Sequence, residues 1–135
     1  MSGNSTATTA YGITRTVSIS YDEAIARLRE LLKEEGFGVL TEIDVKRTLK
    51  EKLDEDIAPY VILGACNPKL ASRALEIEPD IGLLLPCNVI VSQRGDGTHV
   101  GVVNPQSMVE FTSNAALAEV SRDADERLRR VIERL

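Results

Sequence analysis

Tryptophan is absent from the 135 residues, and aromatic side chains make up only 4% of them. A core must therefore be built from Leu, Ile, Val and Ala. No apolar run approaches the ~20 residues that a membrane-spanning helix needs. Met1 to Ala10 is small and polar, with neither the basic start nor the apolar stretch of a signal peptide. It is expected to be a frayed tail or an expression remnant. Cysteine occurs only twice, as Cys66 and Cys87, too few for a disulfide scaffold. Their flanks form neither a CxxC pair nor a zinc knuckle. Positive charge is also short. The formal net charge of −5 argues against a general nucleic-acid binder, which needs a basic face to displace counterions. It argues equally against adhesion to an anionic membrane. Neither a GxxxxGKS/T loop nor a GxGxxG turn is present, and no Ser-His-Asp set is visible.

What is present suits one domain, expected over 11–135. A chain of this length buries about two-thirds of the surface it exposes when unfolded, so neither metal nor disulfide is needed for folding, and no cofactor is expected. The cytoplasm is the expected location. Thr14 to Ser20 alternates Val17 and Ile19 with Thr16 and Ser18, a half-buried strand. Ser20 with Glu23 forms a capping box ahead of a helix bearing Ala24, Ile25, Leu28, Leu31 and Leu32 on one face. Gly36 stops it. Phe37 to Ile43 is a second strand, Asp44 caps a short helix, and Tyr60 to Gly64 is a third, central strand. Asn67-Pro68 starts the next helix, which ends before Pro79. Pro86 to Gln93 and Thr98 to Val103 form a hairpin through Arg94-Gly95-Asp96-Gly97. Asn104-Pro105 starts another helix, and the segment from about Asn114 to Leu135 is a long amphipathic one. The economical arrangement is an α+β fold, a single mainly antiparallel sheet with helices packed on one face.

The run Gly64-Ala65-Cys66-Asn67-Pro68-Lys69-Leu70-Ala71, followed by Gly82-Leu83-Leu84-Leu85-Pro86-Cys87-Asn88-Val89, resembles the domain of unknown function 302 family. The likeness runs from about Tyr11 to Leu135, and its double Cys-Asn signature is specific. The resemblance implies a TATA-binding-protein-like fold of the β-α-β(4)-α type, usually a homodimer. It implies no activity. The namesake of that fold binds DNA, but fold alone does not carry function, and the acidity of this chain opposes the role.

Six residues are candidates for a ligand or reactive-thiol site: Cys66, Asn67, Cys87, Asn88, Met108 and Glu110. Cys66 lies between a strand and a helix whose first amides and dipole favour a thiolate. It is also the kind of small residue that is buried at such junctions. Cys87 shares the Asn neighbour, and a returning strand could bring it beside Cys66. Asn67 and Asn88 cap or close turns, or read a polar ligand. Met108 is a gap-filling core residue or a soft ligand. Glu110 is a surface carboxylate unless it approaches a bound group. His99 is a solvated strand residue, and with so few ligands no zinc site is expected. Three functions compete. The first is a homodimeric module for a small ligand or a protein partner, which the lack of a catalytic constellation favours. The second is a thiol redox or sulfur-handling protein using Cys66 and Cys87. The third is a soft-metal binder using both cysteines and Met108.

Overall fold

A computed structural model describes residues 5–135. Its strands are Ala7–Thr8 (β1), Gly12–Val17 (β2), Gly38–Asp44 (β3), Tyr60–Cys66 (β4), Cys87–Arg94 (β5) and Gly97–Val103 (β6). Its helices are Tyr21–Glu34 (α1), Val45–Leu53 (α2), Pro68–Ile77 (α3), Gln106–Thr112 (α4) and Ala118–Glu133 (α5). The six strands form one sheet in the order β1-β2-β6-β5-β4-β3, and every neighbouring pair is antiparallel. The α+β expectation holds. The β-α-β(4)-α order is that of β2, α1, β3 to β6 and α5, with α2, α3 and α4 inserted.

Strand alternation sorts the sheet into two faces. Ile13, Val17, Val61, Leu63, Ala65, Val89, Val91, Val100 and Val102 are buried on the face against which α1 and α5 pack. Each large aliphatic side chain taken fully from water contributes about 1.5–3 kcal/mol. Several larger alternates on the other face, among them Thr14, Ile62 and Ile90, are only half-buried. Along α5 the inner stripe is Val120, Ala124, Leu128 and Val131, all buried. The carbonyls left over at its C-terminus are met from the sheet, where Arg15 Nη1 donates to Ile132 and Glu133 at 3.1 Å each.

Local signals fix the element ends. Ser20 Oγ accepts from Glu23 N at 3.1 Å, and Asp44 Oδ1 accepts from Arg47 N at 3.0 Å. After α1, Gly36 takes φ +85°. Gly36 N then donates to the Lys33 carbonyl and Phe37 N to the Leu32 carbonyl, a Schellman closure.

Two expectations need correction, and one further element is present. The tail was expected to fray through Ala10, but Ala7 and Thr8 pair with Thr14 and Ile13. Asn104 Nδ2 secures the carbonyl of Thr9 at 3.0 Å. Residues 1–4 lie outside the described residues. The segment after Pro79 is a 3-10 helix, Pro79–Leu84. The last helix begins later than Asn114, because Asn114 Oδ1 caps a separate 3-10 turn, Ala115–Leu117, ahead of α5.

Candidate functional site: two cavities with a common wall

The first Cys-Asn corner closes β4 and opens α3. Asn67 holds an extended backbone and is buried. Its Oδ1 accepts from Leu70 N at 3.2 Å, and its Nδ2 donates to the Glu35 carbonyl at 3.3 Å. Both ends of the amide are engaged within the fold, so Asn67 acts as a helix cap and a tether to α1. The second corner differs. Asn88 faces Gly64 across the β4–β5 seam and is exposed. Among the described residues its side chain makes no hydrogen bond.

The two cysteines do come to one place. Ala65 is the register partner of Cys87, so Cys66 is one step beyond that pair, and both side chains line one cavity. Both thiols are free. Cys66 is half-buried. Cys87 is 8% exposed, and burial, then the neighbouring Cys66, pushes its thiol up to about 11. At neutral pH Cys87 is therefore protonated, a poor nucleophile. This counts against Cys87 as the attacking thiol of the redox alternative.

That inner cavity, about 360 Å3, lies between β3, the end of β4, α3 and α5, lined by Phe37, Leu40, Cys66, Leu70, Cys87 and Met108 among others. A second, of about 470 Å3, opens on the sheet face away from α1 and α5, where Tyr60, Asn88, Ile90 and Gly101 form the floor. Tyr11, Leu83, Leu84 and Phe111 border it. Leu85, Pro86, Cys87 and Met108 bound both cavities. Of the six candidates, five are thus gathered. Glu110, exposed on α4, borders neither cavity.

His99 stands apart. Its Nδ1 is 3.1 Å from Thr16 Oγ1, and burial, then Arg94, lowers its pKa. The Arg94–Gly97 segment is only a turn, with Gly95 at φ +59°. Among the described residues no group of three or more His, Cys, Asp or Glu side chains is placed to hold a metal ion. Among the same residues no helix is long and apolar enough to cross a membrane.

Two features escaped the sequence reading. One is the apolar border of the open cavity. Its signal was Leu83-Leu84-Leu85 in a stretch too short to bury all three. The other is Glu35, the C-cap residue between α1 and Gly36. A carboxylate at a helix C-terminus opposes the dipole and so calls for cations. Arg130 supplies them through Nε to Oε2 at 3.0 Å and Nη2 to Oε1 at 2.8 Å. Arg127 Nη1 also donates to the Glu35 carbonyl at 3.0 Å, the same carbonyl that holds Asn67.

The molecule is thus an α+β protein with a single antiparallel sheet, helices on one face and two largely apolar cavities meeting at a Cys-Asn corner. Residues 13–135 match a family described as a domain of unknown function, DUF302, and the chain belongs to that family. It is similar to the crystal structure of an uncharacterized conserved DUF302 protein from Bacillus stearothermophilus, with 38% identity and a TM-score of 0.86. The match covers 91% of this chain and 96% of that one. No curated protein matches the chain.

Proposed function

We propose that this protein binds a small, mainly apolar molecule in the open cavity of the sheet face. One observation carries it: three large hydrophobics that border the cavity, Tyr11, Leu83 and Phe111, are 75%, 87% and 73% exposed. Apolar side chains gathered at a concave surface mark a binding site, and about 470 Å3 falls within the range of small-molecule pockets. Tyr11, Tyr60 and Phe111 suit a flat ring. Asn88, with its amide unspent, suits one hydrogen-bonding group on that ring. Titration with 1-naphthol, followed by backbone amide shifts, tests this. Saturable shifts centred on Asn88, Ile90 and Gly101, weakened by Phe111→Ala, support it. Shifts scattered over the surface, or none at millimolar probe, reject it.

The proposal extends to a homodimer in which a second copy covers the free edge of β3. Its support is a seven-residue outer strand with unpaired backbone groups and with Leu40 and Ile43 exposed. Sedimentation that gives a monomer at every concentration removes this part. The TATA-binding-protein-like relationship belongs to the same proposal, supported by the strand and helix order. A cytoplasmic setting is supported by two neighbouring cysteines that remain free.

A further inference from the structure

The inner cavity brings together Cys66, Cys87 and Met108, three sulfur-bearing side chains from β4, β5 and α4. Cys87 and Met108 are buried, at 8% and 6% exposure, and the Cys87 thiol has no hydrogen-bond partner among the described residues. A buried, unpaired polarizable group at a cavity wall is a ligand lacking its ion or a plain core residue. The neighbours decide between these. A second thiol, one residue beyond the register partner of Cys87, lines the same cavity, and so does a thioether. Among the described residues no histidine or carboxylate completes a set of harder donors around them.

We propose that the inner cavity is a monovalent copper site, with the two cysteine sulfurs as principal ligands and the Met108 sulfur as a third. Soft thiolate and thioether donors select Cu(I) over zinc and harder cations, and Cu(I) accepts low coordination numbers where zinc wants about four ligands. On binding, each thiol forms a sulfur–copper bond and releases its proton to solvent, with no change in oxidation state. The product carries a single negative charge. The N-terminus of the ten-residue α3, which begins two residues after Cys66, lies on the side where such a charge is favoured. Leu70, Ala74, Leu85, Val120 and Ala124 give the ion apolar walls. Cys66, the half-buried member, provides the entry. The site does not depend on ligand binding in the open cavity, and neither proposal falls with the other.

The test is an anaerobic titration of the reduced, full-length protein with Cu(I), in competition with bathocuproine disulfonate, together with X-ray absorption of the loaded protein. The expected result is one Cu(I) per chain in an all-sulfur shell. Cys66→Ser should abolish retention against the chelator, and Met108→Leu should weaken it. Cys87→Ala is the companion variant, with a thermal melt to verify folding. If it unfolds, the half-buried Cys66→Ser decides. Failure of the parent protein to compete, nitrogen or oxygen ligands in the absorption spectrum, or undiminished retention in Cys66→Ser overturns the proposal.

Discussion

Arg130 grips Glu35 with two guanidinium nitrogens, binding one carboxylate oxygen at 2.8 Å and the other at 3.0 Å. The contact spans 95 residues of sequence and joins the end of α1 to α5. Arg134 and Arg127 stand further off, at 3.9 and 4.0 Å from the carboxylate. The hydrogen bonds from Arg130, followed by the charges of Arg130, Arg134 and Arg127, outweigh burial and hold the Glu35 carboxyl below its usual range.

Glu35→Gln should therefore cost about 1–2 kcal/mol at pH 7, the value of charge-assisted hydrogen bonds reduced for a half-exposed partner. The sign follows from linkage. The depressed carboxyl contributes stability that is fully present above the ordinary carboxylate range and is lost as pH falls through the lowered native value. Urea midpoints of parent and variant should differ at pH 7 and converge in strong acid. Equal midpoints at pH 7 would deny the contact any energetic role.

Gly64 leaves room for two neighbours. A β-carbon there would overlap Thr41 Oγ1 and lie 2.8 Å from Pro86 Cγ. Gly64→Ala should destabilise by about 1–3 kcal/mol, the usual cost of overpacking. Thr41→Ala in that background should restore part of the loss, since it removes one of the two overlaps. Thermal melts of the four proteins in this cycle give the coupling, and strictly additive effects would contradict the geometry.

Thiol labelling should separate the cysteines. With iodoacetamide at pH 8 the native protein should take one label, on half-buried Cys66. Cys87, sealed and pushed up to about 11 by burial and then by Cys66, should react only after unfolding. Peptide mapping reads the outcome, and equal rates at the two sites would refute it.

Ser121 is fully buried on α5, and its hydroxyl has no hydrogen-bond partner among the described residues. An unsatisfied buried hydroxyl costs about 1–3 kcal/mol, and alanine is the better helix former. Ser121→Ala should raise the melting temperature, and a lowered one would mean that the hydroxyl is satisfied in solution.

Much of the fold was legible because its signals are local. Ser20, Asp44 and Asn67 bond to amides three residues ahead, and Gly36 and Gly95 take positive φ where the chain turns. The first strand followed from simple alternation, the central one from its apolar run, and the last two from the hairpin turn between them. Other features depend on partners distant in sequence. β1 exists because Thr14 and Ile13 offer it an edge. The candidate site was half legible. The repeated Cys-Asn pair marked the right corner, yet the two asparagines proved unlike. One is occupied by Glu35, and the other looks outward. That difference, like the border of Tyr11 and Phe111, arises only when segments distant in sequence pack together.

Met108 and Cys87 bound the inner and the open cavity alike. An occupant that displaces either side chain from one compartment alters the volume of the other. Two molecules taken up on opposite sides of that partition would sense each other, and linkage requires the influence to be mutual: whatever factor the first imposes on the affinity of the second is returned in full.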